Sequence, residues 1–366
     1  MATFTSGTNG GTGTLQSTSG FGAKYGELSE ADAFTIQKKF LTISKKLVTM
    51  ARFAQKETKP LHEGKDVRWR RYERFQVNTS TLSEGVTPES DTLQQTTIMA
   101  TLAQYGRGVP ITDVMMALST DPIVQQITDR QAIQMAETMD TLAYNAFKAG
   151  TNVIYAPSSV SARANISQHI GLGDAYTATG SGSDKLIKAA VRNLENKDAV
   201  KISSVVKAAS EYNTEPVAEG FFGICHPDVR QDIESITGFV PVEKYANYGA
   251  VMAGEIGKVG MVRFIATTLA TSLDVAPSEA IGTDWTASSA DATKAAIYAT
   301  LIFSRDAVGC VSLSGKGAVT PTVVSPKATA EDPLGQRGSV GYQFWYTCKI
   351  LQDNWLVRIE HLASAL

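Results

Sequence analysis

Charge is scarce in this chain. Only 19% of its 366 residues are Asp, Glu, Lys or Arg, below the roughly 25% of an ordinary globular protein. A surface with so few charges is one that neighbours can cover. Neither sign is in excess: 34 basic residues face 36 acidic ones, a net charge of −2. A general nucleic-acid binder carries a clear basic surplus. Cysteine is nearly absent. Cys225, Cys310 and Cys348 are an odd set whose spacing suits neither a disulfide framework nor a zinc site, so all three are expected to stay reduced in a cytoplasmic setting. The four histidines, His62, His169, His226 and His361, form no close-spaced metal pair. No run of about 18 apolar residues is available to span a membrane, and the start of the chain shows no secretory signal.

What is present is a chain long enough for about two domains, with a hydrophobic share of 43% that supports a real core. Its charges are unevenly placed. The segment from Ile36 to Phe75 is net +8, which leaves the remainder net −10. From Val77 to Asp129 the one basic residue is Arg107, against Glu84, Glu89, Asp91, Asp113, Asp121 and Asp129. Such polarity suits an anionic partner or self-complementary surfaces between copies.

Residues 1–24 are Gly/Ser/Thr at 15 positions, with no charge before Lys24. This composition predicts a flexible arm that orders only when a neighbour holds it. Apolar spacing predicts a helix over 28–56, capped by Ser29 with Asp32 three residues on. Lys65 to Phe75 reads as a strand. Val67, Trp69, Arg71, Glu73 and Phe75 share one face, and Arg68, Arg70, Tyr72 and Arg74 the other. Turn residues follow over 78–91, then a returning strand over 92–110, which together make an extended, charged hairpin. Asp121 and Pro122 predict the start of a long helix over 122–149, closed by Gly150. Residues 151–182 read as loop, and a second helix is expected over 184–195. Beyond it, strands are expected at 220–225, 260–268, 295–304, 310–314, 340–351 and 355–362, with a helical turn over 227–236. Strands and helices without regular alternation argue an α+β fold.

Chemistry-bearing patterns are weak. Gly309 to Lys316 has five residues where a phosphate loop needs four, and Gly317 stands where a Ser or Thr should hold magnesium. Gly180-Ser181-Gly182 lacks a preceding strand and a third glycine. Cys225 and His226 are adjacent on a strand, so their side chains point apart, and the simpler reading is a buried cysteine with a histidine opening the turn at Pro227. No catalytic residue, cofactor or metal is expected. The Arg68, Trp69, Arg70, Arg71, Tyr72 and Arg74 cluster could grip nucleic acid, but the acidic segment that follows it favours pairing between proteins.

Several runs taken in order resemble the major capsid proteins of tailed phages. They are Trp69-Arg70-Arg71-Tyr72-Glu73, Leu82-Ser83-Glu84-Gly85-Val86-Thr87-Pro88, Ala100-Thr101-Leu102-Ala103-Gln104-Tyr105-Gly106 with Thr112-Asp113, then His226-Pro227-Asp228, and Gly254-Glu255-Ile256-Gly257-Lys258-Val259-Gly260-Met261-Val262-Arg263-Phe264. One departure is Ile265-Ala266-Thr267, where the resemblance implies an acidic partner for Arg263. The resemblance implies a Hong Kong 97-like capsid fold: an N-terminal arm (1–64), an extended hairpin loop (65–112), a peripheral domain with a long spine helix (113–150), an axial domain with parts of the peripheral sheet (151–335), and returning peripheral strands (336–366). It implies a shell protein that assembles with itself as hexamers and pentamers around double-stranded DNA held non-specifically on the inner face. Separate scaffold, portal and decoration proteins are further partners of that reading, no membrane is, and the protein is made in the host cytoplasm and resides in the virion. The expected intersubunit residues are Arg68, Trp69, Arg70, Arg71, Tyr72 and Arg74 on the basic strand, with Glu84, Glu89, Asp91 and Arg107 as further contacts. A bacterial nanocompartment shell of the same fold is an alternative, and an α+β hydrolase or transferase is the alternative from another class.

Overall fold

Long apolar strands fill the second half of the chain, and they divide between two sheets. The computed structural model describes residues 40, 48–82, 84–85, 87, 90–120, 122–167, 170, 185–202, 220–244, 252, 254–273, 295–314, 319–328 and 332–364. The expected arm over 1–24, the Ser29 cap with Asp32, and Asp121 lie outside these residues.

The strands are β1 (Gln55–Lys59), β2 (Asp66–Tyr72), β3 (Gln95–Thr101), β4 (Ala103–Thr112), β5 (Val153–Tyr155), β6 (Phe221–Cys225), β7 (Phe239–Pro241), β8 (Glu255–Val259), β9 (Val262–Ala266), β10 (Ile297–Phe303), β11 (Val308–Leu313), β12 (Val319–Val324), β13 (Arg337–Ile350) and β14 (Leu356–Leu362). The α-helices are α1 (Asp113–Leu118), α2 (Ile123–Lys148), α3 (Lys185–Asn196) and α4 (Arg230–Glu234). A five-stranded sheet runs β1-β11-β13-β12, with β4 also along β13. A seven-stranded sheet runs β5-β14-β10-β6-β9-β8-β7, and β2 pairs with β3 alone. The mixture of helices and strands matches the expected α+β class.

Local sequence explains the central elements. All residues of β6 and β10 are buried, as befits continuous apolar strands covered on both faces. Helix α2 has 26 residues, about 39 Å of rise. Its buried stripe includes Ala132, Ala136 and Ala143, small residues that let it lie close to β13. On β13 the alternate residues Val340, Tyr342, Phe344 and Tyr346 are buried. Gln131 Nε2 donates to the Val340 carbonyl at 2.9 Å. Between the sheets, Phe53 packs on Phe222 at 4.7 Å and on Phe303 at 5.3 Å, and Phe147 meets Phe303 at 4.9 Å.

Several elements differ from the sequence reading. Over the described end of the helix expected through residue 56 there is instead a 3-10 turn, Met50–Arg52, and then strand β1. The exposed sequence Gln-Lys-Glu-Thr-Lys has no helical apolar face, and it finds hydrogen bonds as a parallel neighbour of β11. The returning strand breaks at Leu102: β3 pairs with β2, whereas β4 pairs with β13 from Ala103 to Thr112. The expected loop after α2 contains the short strand β5. The helical turn expected from Pro227 is present, as a 3-10 turn followed by α4. The strands expected over 295–314 and over 340–362 are present, as β10, β11, β13 and β14. Each turn carries the chain from one sheet to the other, because β10 and β14 pair together while β11 and β13 pair together.

The expectation of three reduced cysteines is corrected. Cys310 and Cys348 face each other across β11 and β13, with Cα atoms 4.2 Å apart, and are joined as a disulfide. They are separated by 38 residues in sequence, so their approach becomes visible only with the register of the two strands. Cys225 is the free one, and burial pushes its thiol up to about 12. The acidic partner expected after Arg263 comes instead from before it: Glu255 on β8 receives two hydrogen bonds from Arg263, each 2.7 Å. Both side chains are buried.

Asp140 on α2 holds the incoming chain. Its carboxylate accepts the N–H groups of Thr49 at 2.6 Å, Met50 at 3.1 Å and Ala51 at 3.3 Å. Burial raises this carboxyl above its ordinary 3.8, against the lowering effect of those donors and of Arg52. The folded state therefore binds the proton more tightly than the unfolded chain. The resulting stabilisation is complete below about pH 3.8 and declines as pH rises through the raised folded value. In Asp140→Asn this decline should vanish from urea melts measured across the acid range, leaving a flatter stability–pH curve than wild type.

Candidate intersubunit interface

The two-stranded sheet β2–β3 stands apart from both larger sheets, and its faces are unequal. Along β2, Val67 is buried and Trp69 and Arg71 are half-buried, whereas Arg68, Arg70 and Tyr72 are exposed. The alternation read from the sequence is therefore present. The inner face is anchored to the subunit itself. Val67 and Leu102 form a cluster with Val311 of β11, and Trp69, Leu313 and Trp345 pack against it. Arg71 donates to the Leu351 carbonyl at 3.3 Å and to the Gln352 side chain. Past the strand ends the pairing continues for one step, with Glu73 N–H donating to the Gln94 carbonyl at 3.0 Å. Further out, Arg74 pairs with Asp198 at 2.5 Å, both side chains largely in solvent.

The expected interface residues thus divide into two groups. Trp69, Arg71 and Arg74 touch their own subunit. Arg68, Arg70, Tyr72, Glu84 and Asp91 are exposed. Arg74 and Asp91 line one hollow of about 260 Å³ at the base of the loop. Arg107 is exposed on β4, opposite Tyr342 of β13, and belongs to the five-stranded sheet. Glu89 lies outside the described residues. The sequence reading missed Asp198, Leu351 and Gln352 as anchors. They carry no local signal, since each lies more than 120 residues from its arginine.

Apolar side chains accompany the exposed arginines. Tyr72, Phe75, Val77, Leu82, Leu93 and Met99 are all more than half exposed along the hairpin and its loop. Single exposed apolar residues are ordinary, but a series along one projection marks a contact surface. The remaining sequence candidates are structural. Cys225 is buried, and His226 Nδ1 accepts the Asp228 N–H at 3.2 Å while its ring stacks on Tyr298. Among the described residues no group of three or more His, Cys, Asp or Glu side chains is placed to hold a metal, and no helix is long and apolar enough to cross a membrane.

A family described as phage capsid protein matches residues 95–358. The chain belongs to the phage capsid protein family. Solved capsids share its fold. That of Ralstonia phage GP4 is 14% identical over 86% of this chain and 88% of the other, with a TM-score of 0.59. The capsid of cyanophage Pam1 is 10% identical over 87% and 94%, with a TM-score of 0.56. That of Helicobacter pylori bacteriophage KHP30 is 12% identical over 84% and 88%, with a TM-score of 0.55. At such identities the likeness is one of fold. No curated protein matches the chain in sequence.

The family match begins at the first residue of β3, so the basic strand β2 precedes it. Within this capsid protein the seat of that strand depends on Gly309. A Cβ there would lie 2.9 Å from Leu351 Cδ1 and 3.1 Å from Trp69 Cζ2. The glycine once comparable to the first of a phosphate loop is thus a seat for the indole. Gly309→Ala should push Trp69 outward and destabilise the subunit by about 1–3 kcal/mol. Urea melts measure the loss, and faster hydrogen exchange at Val67–Arg71 locates it.

Proposed function

We propose that this chain is the major capsid protein of a tailed phage, a structural subunit that assembles with itself into the icosahedral shell around the viral DNA and resides in the virion. The single observation that carries the hairpin's part in this reading is the exposed surface along it and its loop. Arg68, Arg70, Tyr72 and Met99 on the strands and Phe75, Val77, Leu82 and Leu93 beyond them combine positive charge with exposed apolar area. Interfaces favour this mixture of arginine, aromatic and methionine side chains.

In this reading residues 1–64 are the arm and the 65–112 region the extended loop, whose last ten residues serve as its root in the five-stranded sheet. Helix α2 is the spine, and the five-stranded sheet on which it lies is the core of the peripheral domain. The seven-stranded sheet with α3 and α4 is the axial domain, and β14 belongs with it rather than with the peripheral strands. Hexamers and pentamers form as each loop reaches over another copy, so weak contacts add through multivalency. In this reading a separate scaffold would act during assembly, portal and decoration proteins would join the particle, and packaged DNA meets its inner face without sequence preference.

The test reverses the two exposed arginines and leaves the anchored Arg71 alone. Arg68→Glu with Arg70→Glu should give a subunit that melts like wild type. Breaking buried charge pairs at an interface costs roughly 2–5 kcal/mol each, so closed particles should be lost from sedimentation profiles. Glu84→Arg with Asp91→Arg should restore part of the assembly if those carboxylates are the partners. Intact shells with a reduced DNA content would mean that the basic face meets the genome instead.

A further inference from the structure

Strand β11 touches both β1, which follows the N-terminal segment, and the hairpin. On one edge it carries β1 as a parallel strand. On its surface Val311 and Leu313 receive the hairpin, and Gly309 seats Trp69. Its other edge joins β13 over just five residue pairs, from Val308 opposite Ile350 to Ser312 opposite Tyr346. Cys310 opposite Cys348 is the middle pair of that short ladder.

We propose that Cys310 and Cys348 form a redox-gated clamp, open as two thiols while the subunit is made and closed to a disulfide once the shell meets an oxidising medium, which locks β11 and with it the roots of arm and hairpin. The proposal rests on the shell reading above, which places synthesis in a reducing interior and the finished particle outside it. The oxidant is a low-molecular-weight disulfide. Cys348, the less buried thiol, attacks it as a thiolate and releases one small thiol. Cys310 then displaces the second, and its own proton is lost. Two protein thiols and one small disulfide become one protein disulfide and two small thiols, so atoms and electrons balance.

Access fits this order. Cys348 is half-buried, while Cys310 is 3% exposed and lines a cavity of about 610 Å³ between α2, β1 and β13. The third cysteine does not compete. Cys225 sits in the other sheet, fully buried, and its thiol resists ionisation. Open, the five-pair ladder lets β11 adjust while arm and hairpin find their neighbours. Closed, it cannot slip in register.

The test uses the full chain. Subunits denatured in an excess of alkylating agent at the moment of cell lysis should show three modified cysteines by mass. Assembled particles treated with glutathione disulfide, then denatured and alkylated, should show one, at Cys225. Oxidation should slow hydrogen exchange at least about 10-fold in β1 and β2 and leave β10 unchanged. Cys310→Ser with Cys348→Ser should assemble and keep the faster exchange under both conditions. If that variant fails to fold, wild-type particles reduced with dithiothreitol supply the same comparison. A bond already complete in unassembled subunits, three free thiols after oxidation, or equal exchange of β1 in both states overturns the proposal. If wild type sediments only as small species, the shell reading fails, while thiol counts and exchange on the subunit still decide the clamp.

Discussion

A β-strand can hydrogen-bond along two edges, and β13 uses both for most of its 14 residues. From Arg337 to Tyr346 one edge is taken by β4. On the other edge β12 occupies Ser339 to Phe344, and β11 takes over from Tyr346 to Ile350. Its inner face, Val340, Tyr342, Phe344 and Tyr346, is then free to take α2. This single strand therefore fixes where the helix lies, where β4 delivers the hairpin, and where β11 offers β1 its seat. The demand that buried backbone groups be paired turns one strand into the frame for four others.

The same frame explains the hairpin's two faces. β4 is fixed to β13 for ten residue pairs, so the chain before it must leave the sheet at Leu102. There it turns back over β11, and the inner side of β2 finds Val311 and Gly309. On the outer side Arg68, Arg70 and Tyr72 are exposed. An isolated two-stranded hairpin is marginal on its own. The inner contacts and Arg71's bonds to Leu351 and Gln352 hold its base, whereas the described tip residues Leu82, Glu84 and Gly85 are exposed. A projection rigid at the root and exposed along its length suits contact with another copy.

The sequence made some of this legible because the physics was local. Alternation along β2 depends on neighbours two residues apart, and α2 shows itself by spacing of three and four. The largely apolar runs of β6 and β10 follow from burial on both faces. What stayed hidden is non-local. Ser304 to Ala307 and Leu351 to Trp355 look like hairpin turns, yet each passes between sheets, a choice made by distant pairing partners. Cys310 and Cys348 meet through register alone. β1 is a strand because β11 has an edge to fill, not because Gln-Lys-Glu-Thr-Lys favours extension. At the candidate interface the basic face was readable, but Asp198 as the partner of Arg74 was not, since the two meet only through the fold.

Buried charge follows the same division. Arg263 lies between Phe222, 5.3 Å from its guanidinium, and Glu255, whose side chain is fully buried. Glu360, also fully buried, accepts two bonds from Arg163, at 2.5 and 2.6 Å, and lies 2.9 Å from Arg358. Such pairs add little net stability over apolar packing, because each ion loses its water. Removing one partner is costly, however, and so is any register that separates them. In the seven-stranded sheet they therefore act against misalignment: Glu255 with Arg263 ties β8 to β9, and Glu360 with Arg163 ties β14 to the segment after β5. A subunit that must present the same edges to many neighbours gains more from one fixed register than from a few further kcal/mol of stability. That is a physical reason for keeping buried ions in a sheet whose apolar residues could already hold it together.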